Sequence, residues 1–257
     1  MQFGPDLMQR SRAARMTIAA AVLLGWLAGV PSLSASDKDA AFKTVDSGAF
    51  GVFIGGRRVA TETFSIHQGD TGSEIVSEFK TDGPDKADQT STLDLGTNGD
   101  LQKYSWKEIN PGQSVATVLP SDNFLVEKFA NTPQEKMHEQ PFLMPASTNI
   151  LDDYFFVHRE VLAWRYLATS CKQDKGQIQC PFKQKTQMGA LNPHGRSSLL
   201  VNVAFGGREK VTIRGADHEL IRLDMTSDSG DWTVWLDDQL KMQKIVIATD
   251  GSEVIRD

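Results

Sequence analysis

Between Phe50 and Ala130 the chain is cut into short apolar runs by turn residues, and this punctuation restricts the fold more than any other feature. Phe50 to Ile54 and Arg57 to Ile66 flank Gly55-Gly56. Ser73 to Thr81 follows Gly69-Asp70-Thr71-Gly72. Thr90 to Leu95 and Leu101 to Ile109 flank Asn98-Gly99, and Ser114 to Leu119 and Phe124 to Ala130 flank Pro120-Ser121-Asp122. Gly-Gly and Asn-Gly supply the positive φ that two-residue hairpin turns require. Seven candidate strands therefore follow one another within about 85 residues with no helix between them, the pattern of an antiparallel meander.

The pattern changes after a long connection over Asn131 to Ser147, which holds Pro133, Pro141 and Pro145. Leu151 to Ala168 has no Gly or Pro, and Asp152-Asp153 suit a helix N-terminus. At 100° per residue, Leu151, Tyr154, Phe155, His158, Val161, Leu162 and Tyr166 share one face. Phe156, Val157, Trp164 and Leu167 lie largely opposite. Polar residues occupy only two narrow strips, Asp152 with Arg159 and Asp153 with Glu160. A helix apolar on two faces needs cover on both. One face can lie on a sheet; the other needs a second layer, a partner or a ligand.

Strand signals then resume. Leu199, Val201, Val203 and Phe205 alternate with Leu200, Asn202 and Ala204, and Lys210 to Arg214 follows Gly206-Gly207. Leu220 to Thr226 sets Ile221, Leu223 and Met225 against Arg222 and Asp224. Trp232 to Leu236, Lys244 to Ala248 and Glu253 to Arg256 complete the chain. The expected fold is mainly β: one strongly curved antiparallel sheet, a half-barrel of ten or more strands over residues 47–257, with one long inserted helix as a lid.

The first 35 residues read as a secretory signal peptide. Arg10, Arg12 and Arg15 form a basic start, Met16 to Val30 is apolar, and the small residues of Pro31 to Ser36 offer a cleavage site. That apolar run is shorter than the ~20 residues of a membrane span. The expectation is a periplasmic or secreted chain of 222 residues with no integral membrane segment, and residues 36–46 as a flexible lead-in. Loss of the leader's three arginines and one aspartate takes the formal net charge from −6 to about −8. An acidic surface argues against nucleic acid, which requires clustered Lys and Arg.

Cys171 and Cys180 flank Lys172 to Gln179. A two-residue turn at Lys175-Gly176 pairs 174 with 177 and hence 171 with 180, at a non-hydrogen-bonded site where Cα atoms approach to about 4.5 Å. That lies within disulfide reach. In an exported chain the pair reads as a structural disulfide across one hairpin. The spacing is not C-x-x-C, so a redox motif is not indicated.

No catalytic signature stands out, and no cofactor or metal is indicated. The five histidines, His67, His138, His158, His194 and His218, form no compact ligand spacing, and Gly-x-Ser-x-Gly is absent. His158, between Tyr154 and Leu162, reads as a core histidine, and Asn192-Pro193-His194-Gly195 as a turn. Asp237-Asp238 also reads as a turn. Phosphate cradles need a following helix, which neither Gly55-Gly56 nor Gly206-Gly207 has. The aromatic crowding at Tyr154, Phe155, Phe156, Trp164 and Tyr166 reads either as core or as the wall of an apolar pocket.

Three stretches also carry a resemblance. Gly48 to Ile66, Ile150-Leu151-Asp152-Asp153 leading into the aromatic helix, and Trp232-Thr233-Val234-Trp235-Leu236-Asp237-Asp238-Gln239 with the following Lys244 to Val254 resemble uncharacterised exported bacterial β-rich domains. Together they span most of residues 48–257. The resemblance implies a fold similar to the half-barrel of outer-membrane lipoprotein carrier and receptor proteins, where a curved sheet and a helical lid hold acyl chains. It implies no catalytic residue. The first expectation is thus a binder of an apolar small molecule or lipid, with Tyr154, Phe155, His158, Val161 and Leu162 as candidate ligand-lining residues. An envelope interaction or scaffold protein without a pocket is the alternative. A hydrolase using His158 or His194 is the third option.

Overall fold

The computed structural model describes residues 42–257 apart from 84–85 and 175–176. The signal-peptide reading therefore lies outside the described residues. The N-terminal half is a meander of β1 (Lys43–Ile54), β2 (Arg57–Gly69), β3 (Gly72–Thr81), β4 (Asp88–Gly96), β5 (Leu101–Asn110), β6 (Val115–Ser121), β7 (Phe124–Ala130) and β8 (His138–Phe142). The short β9 (Asn149–Ile150) and the helix α1 (Val157–Ser170) follow. Next come the separate hairpin of β10 (Lys172–Asp174) and β11 (Gln177–Gln179), then β12 (Lys185–Asn192) and β13 (Ser197–Ile213). The last four strands are β14 (Ala216–Ser227), β15 (Gly230–Leu236), β16 (Met242–Ile247) and β17 (Glu253–Arg256).

Fifteen of these strands form one open sheet in the order β8-β7-β6-β5-β4-β3-β2-β1-β17-β16-β15-β14-β13-β12-β9. The two meanders join in the middle, where β1 pairs with β17 and Val52 faces Val254. The seam is locked by charge. Arg256 donates two hydrogen bonds to the buried Asp46, at 2.6 and 3.0 Å, and Lys241 lies 3.2 Å from the same carboxylate. β1 thus begins at Lys43, inside the stretch expected to be a lead-in, because Asp46 has a buried cationic partner.

Period-two alternation puts the apolar row of each strand on the concave face. In β2 the inward row is Ala60, Glu62, Phe64 and Ile66; in β3, Ile75, Ser77 and Phe79; in β7, Leu125 and Glu127. Phe50 and Phe64 stack at 4.6 Å between ring centroids. One sheet turns out to cover both apolar faces of α1. Toward the N-terminal meander, Phe156 and Val157 donate their backbone N–H to Glu62 of β2, and Tyr104 of β5 donates to Asp152 just before the helix. Toward the other meander, Met242 N–H bonds Glu160, Phe205 N–H bonds the Tyr166 hydroxyl, and Trp164 donates to Leu240 O. The second layer that the helix required is supplied by the far half of its own sheet.

The helix begins at Val157 rather than Leu151. Leu151 to Phe156 is an irregular segment, buried apart from the exposed Asp153 and the half-buried Tyr154, because Asp152 turns inward to accept from Tyr104 (2.8 Å) and from Tyr154 N–H (3.0 Å). The N-terminal N–H groups are satisfied by Glu62, 94 positions away, rather than by a local cap. Three further differences concern strands. The 131–147 connection contains β8, whose Pro141 is tolerated at the sheet edge. Gly206-Gly207 is a bulge inside one continuous β13, with Gly207 at φ +103°. β9 pairs with β12 in parallel, so the otherwise antiparallel sheet is mixed at that edge.

The hairpin of β10 and β11 has the expected register, with Lys172 opposite Gln179 and Asp174 opposite Gln177. Cys171 and Cys180 are disulfide-bonded with their Cα atoms 4.3 Å apart. The expected tip, Lys175-Gly176, lies outside the described residues. No helix among the described residues is long and apolar enough to cross a membrane.

Candidate functional site

A cavity of about 360 Å³ opens between α1 and the strands β2 to β4. Its floor is buried and mostly apolar: Ile66, Ile75, Leu93 and Ile150 from the sheet side, Leu162 and His158 from the helix. Val161, Trp164 and Leu95 form half-buried walls, and Thr97, Asn98 and Thr169 an exposed rim. Arg165 ties the rim together by donating to Gly99 O (2.9 Å) and pairing with Asp100 (3.3 Å) in the β4–β5 turn.

Helical periodicity explains which candidate residues meet here. His158, Val161 and Leu162 lie one turn apart and all line the cavity. Phe155 and Tyr154 do not. They precede the helix, so the 100° step that grouped them with the others does not apply. Phe155 is fully buried in the core, and Tyr154 packs edge-on to Phe79 and turns toward the opposite side.

His158 is the polar feature of the floor. Asp152 N–H donates to its Nδ1 at 3.3 Å, so Nδ1 carries no proton and the neutral ring holds its hydrogen on Nε2. Burial, with Arg159 adding repulsion, pushes its pKa down to about 3, so the ring is neutral at physiological pH. Nε2 is buried and has no hydrogen-bond partner among the described residues. The result is one buried, unpaired N–H donor on a residue that lines the apolar cavity. Its core position was legible in the sequence; its free donor was not.

A second, smaller cavity of about 160 Å³ lies between β4 to β7, Tyr154 and the β12–β13 turn. His194 sits in it, edge-on to Trp106 and Tyr154 with centroids at 4.5 Å in each case. Glu127, 0% exposed, also lines it, with neither carboxylate oxygen partnered among the described residues. Burial pushes Glu127 up to about 7, with Arg196 opposing and Asp152 adding to the rise. Sequence reasoning passed over this residue. The signal was there: Leu125, Glu127 and Phe129 alternate on one face, with a carboxylate where an apolar residue belongs.

Neither His158 nor His194 makes a hydrogen bond to a carboxylate among the described residues. The hydrolase option required that contact, and nothing in this geometry favours it. The described residues contain no group of three or more His, Cys, Asp or Glu placed to hold a metal ion.

Fold and site together define a β-barrel-like domain: an open half-barrel curved around one helix, with a cavity between them. No family model matches the chain, and no curated protein matches it. Among solved structures it is similar to a crystal structure of a β-barrel-like protein of the domain of unknown function DUF1849 from Brucella abortus. The two agree with a TM-score of 0.51 at 10% sequence identity, over 82% of this chain and 93% of that one. At that identity the likeness shows the fold alone.

Proposed function

We propose that this is an exported protein that binds an apolar ligand of the lipid or acyl-chain class in the cavity between α1 and β2 to β4. The observation that carries the reading is the cavity itself. It is walled largely by aliphatic side chains, falls within the ~300–1,000 Å³ of small-molecule sites, and one residue of its floor, His158, carries a buried unpaired donor. An apolar body with a single acceptor, such as an ester or carboxyl carbonyl, matches an aliphatic wall with one such N–H just beneath its floor. The resemblance to lipoprotein carrier and receptor half-barrels agrees with this class of ligand. The bonded Cys171–Cys180 pair agrees with an oxidising, extracytoplasmic location.

The test is displacement of a fluorescent fatty acid, cis-parinaric acid, combined with native mass spectrometry of protein purified from the periplasm. Val161→Trp, which fills the half-buried wall, should abolish probe binding while the circular dichroism spectrum stays unchanged. His158→Phe should weaken binding by about tenfold, the value of one buried hydrogen bond. Absence of both probe binding and any co-purifying lipid would overturn the reading.

A further inference from the structure

We propose that the second cavity, over Glu127, binds a small soluble primary amine through its ammonium group. This site is separate from the apolar cavity and does not rest on the reading given to it. Its deep end lies against acceptors that lack donors. Both oxygens of the fully buried Glu127, a residue that lines the cavity, are unpartnered among the described residues and lie just beneath its surface, so a ligand would reach them by a small shift of the lining; Nδ1 of His194 is unpartnered as well. Two buried carboxylate oxygens left without donors are costly, and their chemistry specifies what would relieve the cost. An alkylammonium carries three N–H donors and no acceptor.

The walls agree with a cation. Trp106 and Tyr154 line the cavity with the His194 ring packed against both, and an aromatic lining is compatible with a cation. Trp106 is held in place by its Nε1–H bond to Gln89 at 2.8 Å. The wall already accommodates one cation: the Arg196 guanidinium lies 3.7 Å from the Phe129 ring centroid. Arg196 is exposed at the rim, bonded to Asn131 (3.2 Å). It is not hydrogen-bonded to Glu127, so the inner carboxylate is left for a ligand. The volume of about 160 Å³ restricts that ligand to a few heavy atoms beyond the nitrogen.

The test follows the Trp106 indole N–H by ¹⁵N NMR during titration of the whole protein with n-propylammonium chloride. A saturable shift is expected, absent with n-propanol and with tetramethylammonium chloride, which lacks N–H donors. Glu127→Gln keeps the shape and removes the charge, and should weaken binding about tenfold or more. Arg196→Gln, at the rim, should leave binding intact or tighten it. No saturable shift, an equal response to n-propanol or tetramethylammonium, or unchanged affinity in Glu127→Gln would overturn the proposal. Should Glu127→Gln not fold, the comparison of the three probes on the unmodified protein decides alone. Val161→Trp, which closes the apolar cavity, should leave amine binding unaffected, so failure at one site is distinguishable from failure at the other.

Discussion

Single carboxylates inside the half-barrel set much of its chemistry. Glu62 and Glu127 are both pushed up to about 7 by burial, and Glu160 is held well above its ordinary value, also by burial, with Asp46 adding to it. A carboxyl whose folded pKa exceeds its unfolded one binds more protons in the folded state. Stability is therefore greatest at low pH and falls as pH rises from the unfolded pKa near 4.5 through the folded value near 7. Urea unfolding of Glu127→Gln should show a flatter decline between pH 5 and 8 than the unmodified protein, by at most about 3 kcal/mol. An unchanged slope would mean that Glu127 titrates normally. Glu62 differs because it has partners: it accepts from Ser77 (2.7 Å), Phe156 N–H (2.7 Å) and Val157 N–H (3.3 Å). Glu62→Ala strands these donors and should cost about 2–4 kcal/mol in the same measurement, whereas Glu62→Gln should keep part of that stabilisation.

At the scale of elements, α1 is held by long-range contacts rather than by its own sequence. Its Ncap position, Phe156, makes no side-chain cap bond, and its first turn carries only the buried Glu160 as an acid. Of the residues in the two strips that looked polar in the sequence, Asp152, Arg159 and Glu160 are buried and Asp153 is exposed; Arg159 donates to Asp152 O (2.7 Å) and lies over the Phe156 and Trp232 rings. The helix ends at Cys171, where the disulfide hairpin starts. That hairpin pairs only with itself and lies outside the large sheet. The Cys171→Ala/Cys180→Ala variant should stay folded and lose at most about 2–3 kcal/mol, read as a lowered denaturation midpoint with an unchanged slope. The unmodified protein should show no titratable thiol under non-reducing conditions, and two free thiols would show the assignment to be wrong.

For the whole molecule the decisive feature is the β1·β17 seam, which joins two meanders that could otherwise separate. Asp46 is fully buried there and Arg256 nearly so. Removing one partner of such a pair leaves an uncompensated buried charge, so Arg256→Ala should cost about 3–5 kcal/mol. The more exposed Arg58–Asp257 pair at the same seam should cost under about 1 kcal/mol in Arg58→Ala. Equal losses in thermal unfolding of the two variants would show that the seam owes its strength to the backbone ladder and not to Asp46.

The elements that were readable from the sequence are those governed by neighbours along the chain. The hairpin at Gly55-Gly56 follows from the positive φ both glycines adopt, the one at Asn98-Gly99 from Gly99 alone within a four-residue loop, and the Cys171–Cys180 register from counting outward from a turn. Period-two alternation marked Ile221, Leu223 and Met225 as an inward face, and all three are buried. β8 went unread because Pro141 argues against a strand unless it lies on an edge, and edges are defined only once the sheet is assembled. The true start of α1 was hidden for the same reason: its first N–H groups are satisfied by Glu62, whose proximity is a product of the fold. His158, Val161 and Leu162 could be placed on one face from periodicity, but what stands opposite them could not. Burial and unpaired polar groups are properties of space rather than of sequence. Only the closing of the sheet around the helix made Glu127 a buried carboxylate and His158 a free donor.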